Sequence, residues 1–170
     1  MTTLRCTKRL LRRLRVPDEF AASPPTTLLG DWYANILFSR PQQLVLCMSE
    51  RTLLPVVVLA KELDTLPLRL AAGSREILDR IGVPQGLIES ETREMAQLAY
   101  GPTRSKRVLG SMNDFMFQLS WLLNERPGLS LLEMSVHIAE TPCSPLRRKN
   151  PKRFTLELFR SGLSGVREIH

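Results

Sequence analysis

The segment from residue 32 to residue 59 constrains the fold more than any other part of the chain. It contains three short apolar runs, at residues 32–38, 43–48 and 53–59, which are separated by two short polar stretches. Apolar runs of this length joined by tight polar turns, here Arg40-Pro41-Gln42 and residues 49–52, predict an antiparallel β-meander. The third run contains Val56-Val57-Val58-Leu59, which is apolar on both faces and therefore predicts a central strand covered on both sides.

Helical periodicity dominates the rest of the chain. We predict helices over residues 7–15, 68–81, 84–100, 113–124, 131–140 and 151–160, and residues 4–6 are compatible with a short strand. The order of these elements predicts an α+β fold, with a small antiparallel sheet of three to four strands packed against about five to six helices. A chain of 170 residues fits one domain, which we place at residues 1–160, followed by a flexible tail at 161–170.

The net charge of +7 belongs to the two ends of the chain. Residues 1–16 carry six basic and no acidic groups, and residues 141–170 carry seven basic and two acidic groups. The remaining 124 residues hold eleven basic and fifteen acidic groups, a net charge of −4. If the termini meet in space, their cations form one patch that would bind the phosphates of nucleic acid, with an affinity that falls steeply as salt rises.

This basic patch leads to the favoured function, a non-enzymatic domain that contacts nucleic acid or another acidic partner largely independently of sequence. The predicted contact residues are Lys8, Arg9, Arg12, Arg13, Arg15, Arg147, Arg148, Lys149, Lys152 and Arg153. The competing interpretation is a solvated surface on which arginine stems cover apolar groups. Near both clusters, Phe154 is the one aromatic residue that we identify as available for stacking on a base.

Residues 110–114, Gly-Ser-Met-Asn-Asp, allow two interpretations. Ser111 and Asp114 have the spacing of a capping box, which predicts that a helix begins here and continues as a helix apolar nearly all round. Alternatively, free amides at that helix start and the upstream Arg107 would bind a phosphate, which Asp114 would repel. Asn113 has no structural role in either interpretation and is therefore kept as a site candidate.

Two other polar stretches accompany the strands. Asp31, Tyr33 and Asn35 alternate along the first strand and share one face, while Glu50 and Arg51 occupy the second turn. Such groups either line a pocket or satisfy the backbone of neighbouring loops. The pocket candidates are Asp31, Tyr33, Asn35, Glu50, Arg51, Arg107, Ser111, Asn113 and Asp114. A hydrolase or nuclease that uses Asp31, Glu50, Arg51, Asn113 and Asp114 is the enzymatic alternative.

The placement of the histidine and cysteine residues in the sequence predicts neither a cofactor nor a metal site. Glu133, His137 and Glu140 share one helix face, where they would bind a divalent cation or transfer a proton, but the order matches no zinc-protease motif. The three cysteines are far apart and odd in number, which disfavours a disulfide framework and favours the cytoplasm. No run approaches the roughly 18 apolar residues of a membrane-spanning helix, so we predict no membrane association.

Four blocks, LRCTKRLL, GDWYANILF, SERTLLPVVV and VLGSMNDFMF, resemble those of a family of uncharacterised bacterial proteins, a domain of unknown function. The resemblance covers most of residues 4–145. It implies a bacterial, cytoplasmic setting and no activity or catalytic residue. A third functional hypothesis therefore stays open, a protein-interaction module of a defence or toxin–antitoxin system whose basic helices dock on an acidic protein.

Overall fold

The protein is a three-layer arrangement of helices, sheet and helices. The computed structural model describes residues 2–16, 23–39 and 42–168, with the side chains of the last helix given through residue 162. Within these residues, one mixed sheet of five strands lies between six α-helices. The α+β class is thus confirmed, while the predicted sheet of three to four antiparallel strands is only roughly right.

The sheet has the spatial order β4-β3-β2-β1-β5. Its strands are β1 (Thr2–Cys6), β2 (Trp32–Leu37), β3 (Leu44–Ser49), β4 (Pro55–Leu59) and β5 (Leu98–Pro102). The predicted meander is confirmed, since β3 pairs antiparallel with both β2 and β4. Two strands extend it in parallel, because β1 pairs with β2 on one side and with β5 on the other.

The parallel strand β5 corrects one predicted helix. Residues 84–100 were expected to be helical throughout, but the helix ends at Glu94 and Leu98–Pro102 form the outer strand. In this strand Leu98, in the middle of the chain, pairs with Thr2 near the N-terminus. Parallel pairing joins segments that are distant in sequence, so no hairpin turn marks it locally.

The helices are α1 (Lys8–Leu14), α2 (Leu66–Ile81), α3 (Gln85–Glu94), α4 (Lys106–Glu125), α5 (Leu131–Ala139) and α6 (Pro151–Glu168), with 3-10 turns at Leu63–Thr65 and Ser144–Leu146. The last helix continues past its predicted end at residue 160. Residues 169–170 of the expected tail lie outside the described residues, as do Arg40 and Pro41 of the predicted first turn. The flexibility of residues 161–170 stays a prediction.

Two hydrophobic cores form, one on each face of the sheet. On one face Leu10 of α1, Leu70 of α2 and Ile88 of α3 pack against strand residues that include Trp32. On the other face α4 and α5 pack against strand residues that include Tyr33. These side chains are buried, and their removal from water is the main source of stability in both layers.

The apolar strand β4 lies at the edge of the sheet, which corrects its predicted central position. Both of its apolar faces are buried, since Val56 and Val58 lie in the first core and Val57 in the second, and α2 and α5 both contact the strand. The contact with α2 is so close that a Cβ at Gly73 would lie 2.6 Å from Val56 Cγ1. From α5, Ser135 Oγ accepts a hydrogen bond of 2.9 Å from the N–H of Val57, so a side chain occupies the place of a further strand.

Helix α4 begins earlier than the capping-box interpretation predicted. Ser105 is its N-cap and accepts a hydrogen bond of 3.2 Å from the N–H of Val108. Residues 110–114 therefore lie inside the helix, where the amides serve the helical ladder and are not free for a phosphate. Ser111 faces the core and is buried. The helix is also amphipathic rather than buried all round.

Candidate functional site

Asp31, at the entry to β2, forms a buried ion pair with Arg5 of β1. Its Oδ2 accepts a hydrogen bond of 3.1 Å from Arg5 Nε, and its Oδ1 accepts one of 3.1 Å from the N–H of Thr3. Arg104 Nη2 lies 3.9 Å from the same Oδ2. Both carboxylate oxygens are thus engaged in tying β1 to β2, which supports a structural role for Asp31.

Glu50 and Arg51, in the turn after β3, fasten the loop that leads into β2. The N–H of Glu50 donates to the carbonyl of Asp31 at 2.8 Å, and Arg51 Nη1 donates to the carbonyl of Thr27 at 3.1 Å. In the loop between Thr27 and Asp31, Gly30 has a φ of 77°, and a Cβ there would lie 3.1 Å from Arg51 Cγ. The positive φ therefore favours glycine at this position, and a Cβ would also crowd the Arg51 side chain.

The same loop is held from α3 by Glu91, which no sequence motif marks. Its two carboxylate oxygens accept hydrogen bonds from the N–H groups of Leu28 at 3.0 Å and Leu29 at 2.9 Å. Burial raises the pKa of the Glu91 carboxyl, and these two hydrogen bonds together with the charge of Arg51 offset the increase only in part. Its partners lie more than 60 residues earlier in the chain, so local pattern does not reveal them.

A cleft of about 330 Å³ opens beside Glu50 and Arg51. It is lined by three of the pocket candidates, Glu50, Arg51 and Arg107, and by Leu53, Ser105, Val108 and Leu146. Arg104 Nη2 lies 3.7 Å from Glu50 Oε1 at this place, and Arg107 donates to the carbonyl of Pro145 at 2.6 Å. The cleft thus presents one carboxylate among several guanidinium groups.

Tyr33 and Asn35 do not line this cleft, and each has a hydrogen-bond partner of its own. The hydroxyl of Tyr33 is inside the second core and accepts a hydrogen bond of 3.1 Å from the N–H of Ser105, which positions the start of α4. Asn35 Oδ1 accepts a hydrogen bond of 2.8 Å from Thr7 Oγ1 at the start of α1. These contacts support structural roles for both residues.

Asn113 and Asp114 lie exposed on the outer side of α4. Neither forms a described hydrogen bond or ion pair with Asp31 or Glu50. Among the predicted carboxylates of an active site, the structure therefore brings together Asp31 and Glu50 and leaves Asp114 apart. The convergence that an enzyme built on all three would require is absent from the described residues.

The acidic face of α5 serves local contacts. Ser130 and Glu133 form a capping box, with the serine Oγ accepting from the N–H of Glu133 at 3.1 Å. Glu140 Oε1 lies 3.7 Å from Lys152 Nζ in an exposed ion pair. In the described part of the chain, no group of three or more His, Cys, Asp or Glu side chains is placed to hold a metal ion.

The three cysteines are free and buried. Burial raises the pKa of the Cys6 thiol to about 12 and that of Cys143 to about 11. The pKa of Cys47 is raised as well, first by burial and then by Cys6 nearby. A thiolate is the reactive form of cysteine, so these environments disfavour nucleophilic chemistry.

The two basic ends lie at opposite ends of the sheet. Arg13 of α1 donates to Gln43 Oε1 at 3.3 Å, just before β3 begins. Thr155 of α6 donates to Thr52 Oγ1 at 2.9 Å, just after β3 ends. The structure therefore does not merge the N-terminal and C-terminal cations into one patch.

The C-terminal cations are largely paired with acidic groups. Lys149 Nζ lies 2.7 Å and Arg153 Nε 3.2 Å from carboxylate oxygens of Glu157, and Lys152 pairs with Glu140 as described. The hydrogen bond from Lys149 lowers the pKa of the exposed Glu157 carboxyl. Phe154 beside them is half-buried against the second core. Arg147 and Arg148, in the preceding turn, are exposed.

The N-terminal cations present a different arrangement. Lys8, Arg9, Arg12, Arg13 and Arg15 are all exposed, and none forms an ion pair with a carboxylate in residues 2–16, 23–39 and 42–162, whose side chains are described. Leu10 anchors the helix in the first core with no exposed area. The buried Leu10 thus fixes α1 against the first core, while the charged side chains of the helix stay exposed to solvent.

Phe38, at the end of β2, lies among these cations. The guanidinium carbons of Arg9 and Arg13 are 5.6 Å and 5.9 Å from the centre of its ring, within cation–π range. The side chain is 47% exposed. A neighbouring cleft of about 310 Å³ is lined by Arg13, Gln42, Gln43, Leu59, Ala60 and Lys61. We call this group the α1 surface: Lys8, Arg9, Arg12, Arg13, Arg15, Phe38, Gln42, Gln43 and Lys61.

Residues 3–154 of the 170 match the family model described as a domain of unknown function (DUF6933). The chain belongs to this family. No curated protein and no solved structure matches it. The resemblance to an uncharacterised family is confirmed at the family level, and the DUF6933 domain as matched includes the α1 surface and the ion pair of Asp31 with Arg5.

Within this DUF6933 domain, charge clustering along the chain did not indicate four members of the α1 surface, namely Phe38, Gln42, Gln43 and Lys61. Phe38 ends an apolar run and was predicted to belong to that strand. Lys61 is an isolated cation next to Glu62. Their position beside α1 follows from the sheet. No helix in the described ranges combines the length and hydropathy needed to cross a bilayer.

Proposed function

We propose that this domain binds nucleic acid through the α1 surface, chiefly by contacts to phosphates. The observation that carries the proposal is the contrast between the two ends. The cations of α1 are exposed and have no carboxylate partner among the described residues, whereas three of the five C-terminal cations are paired. Unpaired cations on a fixed helix are the groups that a phosphate backbone attracts.

The size of the surface sets what it can contact. The seven residues of α1 span about 10 Å, which corresponds to roughly three phosphates along one strand. Gln42, Gln43 and Lys61 extend the surface beyond the helix. Contacts of this kind position a strand without reading its bases, so affinity is expected to be largely independent of sequence.

The test is a salt titration of the full chain against mixed DNA and RNA, without and with Mg²⁺. We expect a Kd of about 1–100 μM near physiological salt, weakening steeply as salt rises. Reversal of two central cations, Arg12→Glu with Arg13→Glu, should weaken binding by about tenfold or more and lower the slope of log K against log salt by about 1.5. Neutral variants, Arg12→Gln with Arg13→Gln, should fall between.

The matched control reverses two exposed arginines at a distance from α1, Arg80→Glu in α2 with Arg93→Glu in α3. It changes the net charge equally and should leave both the affinity at moderate salt and the slope close to wild type. Circular dichroism and thermal melting of each variant check that the fold is retained. Equal losses in the two double variants would mean that overall charge, and not the α1 surface, attracts the nucleic acid.

The same titration addresses the enzymatic alternative. The cleft with Glu50, Arg51 and Arg107 is the feature that favours a hydrolase or nuclease. Cleavage in the presence of Mg²⁺ that is lost in Glu50→Gln would support that function over simple binding. Absence of any binding would instead favour an acidic protein as the partner of α1, as in an interaction module of a defence or toxin–antitoxin system.

A further inference from the structure

Phe38 is one of several large apolar side chains that the protein exposes, and Arg9 and Arg13 lie over its ring. Its backbone lies just beyond β2, and the preceding Leu37 is already half-buried at the second core. Phe38 itself is 47% exposed and lies beside two arginines. An exposed aromatic ring within a basic surface is the combination found where proteins bind single-stranded nucleic acid.

The two arginines leave part of the ring available. Arg9 and Arg13 lie within cation–π distance of the ring centre and hold it in place. Arg13 is itself held by Gln43 through a hydrogen bond of 3.3 Å. The exposed part of the ring can therefore receive a flat partner without first being ordered, which lowers the entropic cost of binding.

The partner that suits this arrangement is an unpaired base. In a duplex the faces of the bases are stacked on one another and are not accessible to a protein side chain, whereas a single strand can splay them out. The cleft of about 310 Å³ beside Arg13 also offers the amide groups of Gln42 and Gln43, which can donate to and accept from a base edge.

We infer that Phe38 stacks on an unpaired base, so that the α1 surface prefers single-stranded nucleic acid to duplex. This inference rests on the proposed function, since α1 and Lys61 hold the phosphates on either side of the base. The acidic residues that follow Lys61, Glu62 and Asp64, are exposed and bound the surface on that side. Because these carboxylates repel phosphates, a bound nucleic-acid strand does not continue past Lys61 on that side.

The experiment compares three probes of equal phosphate number with the full-length protein. These are an oligothymidine of about a dozen nucleotides, an abasic strand of the same length, and a hairpin duplex. Fluorescence anisotropy at two salt concentrations, roughly 50 mM and 200 mM, gives the affinities. Wild-type protein should bind the oligothymidine about 5- to 150-fold more tightly than the abasic strand, the range expected for one stacked base.

Substitutions of Phe38 separate stacking from charge. Phe38→Leu keeps an apolar side chain but removes the ring, so it should abolish the advantage of oligothymidine over the abasic strand and leave abasic and duplex binding nearly unchanged. Phe38→Tyr keeps the ring and should retain the advantage. Phe38→Trp adds a fluorophore at the stacking position, and oligothymidine but not the abasic strand should quench it.

Two further outcomes would overturn the inference. Equal, salt-dependent affinity for all three probes, unchanged in Phe38→Leu, would exclude base stacking while the phosphate-binding function stands. Absence of binding to every probe at the lower salt concentration would remove the proposed function and the stacking inference together. The abasic probe makes these two failures distinguishable.

Discussion

At the scale of single residues, the contacts of Asp31 support a structural role, in which the carboxylate ties β1 to β2. The sequence showed Asp31 and Glu50 as polar groups beside strands, for which a pocket and a fastened loop were both open interpretations. The contacts of Asp31 with Arg5 and with the N–H of Thr3 favour the fastened loop. Which cation would face Asp31 was not predictable, because Arg5 lies 26 residues away on a strand that pairs in parallel.

The first prediction concerns this ion pair. Asp31→Asn keeps an acceptor for the N–H of Thr3 but places an amide opposite Arg5, which is only 5% exposed. A buried guanidinium without its carboxylate is costly, so the free energy of unfolding should fall by about 3–5 kcal/mol. Urea denaturation at neutral pH measures this change.

A second variant identifies the cause. If the loss arises from the unpaired guanidinium, Arg5→Met combined with Asp31→Asn should recover much of the stability, since the isolated charge is then gone. Glu157→Gln is the exposed control and should have a small effect, because solvent screens its pairs with Lys149 and Arg153. A double variant less stable than Asp31→Asn alone would exclude the ion-pair explanation.

At the scale of secondary structure elements, periodicity located the strands of the meander and most helices but not their surroundings. Helix α4 shows why. Its sequence is apolar nearly all round, which predicted a helix at the buried centre of the helical part, yet Phe117 is 78% and Trp121 50% exposed. Whether an apolar side chain is covered depends on which neighbours the sheet places beside it, and Phe115 of the same helix is buried in the second core.

Strand β4 shows the same dependence. Its two apolar faces predicted a central position, but helices cover them and the strand lies at the edge of the sheet. The open edge is blunted in two ways: Pro55 has no N–H, and the N–H of Val57 donates to Ser135 Oγ. Leu59 contributes its carbonyl oxygen as an acceptor for Arg69. Such protection is invisible in a local pattern because Ser135 lies 78 residues further along the chain.

This edge leads to a prediction for Ser135→Ala. The N–H of Val57 would remain buried without a partner, which should lower the free energy of unfolding by about 1–3 kcal/mol. Amide hydrogen exchange at Val57 should accelerate by more than at the paired strand β3. The control is Ser120→Ala in α4, which is expected to change stability by no more than about 0.5 kcal/mol. Equal effects in both variants would show that Ser135 does not protect the edge.

At the scale of the whole molecule, the distribution of charge separates two ends with different roles. The end of the sheet near α1 presents an exposed ring and cations that have no carboxylate partner among the described residues. The opposite end carries Asp31 with Arg5 and the ion-paired cations at the start of α6. Sequence composition predicted basic termini correctly, but not that the sheet would hold them apart. That separation depends on the parallel pairing of β1 with β2 and β5, and no local sequence pattern predicts this pairing.

The extent of the folded domain provides the last prediction. The family match ends at residue 154, yet Phe159 of α6 is only 2% exposed and packs in the first core. Phe159→Ala should therefore cost about 3–5 kcal/mol and lower the Tm by about 6–20 °C in a chain of this size. Phe117→Ala removes the same side chain from an exposed position and should change stability by no more than about 0.5 kcal/mol. Calorimetry of the two variants decides the boundary: similar melting temperatures would mean that the core ends before Phe159, whereas a selective loss in Phe159→Ala would make α6 an integral part of the domain beyond the matched range.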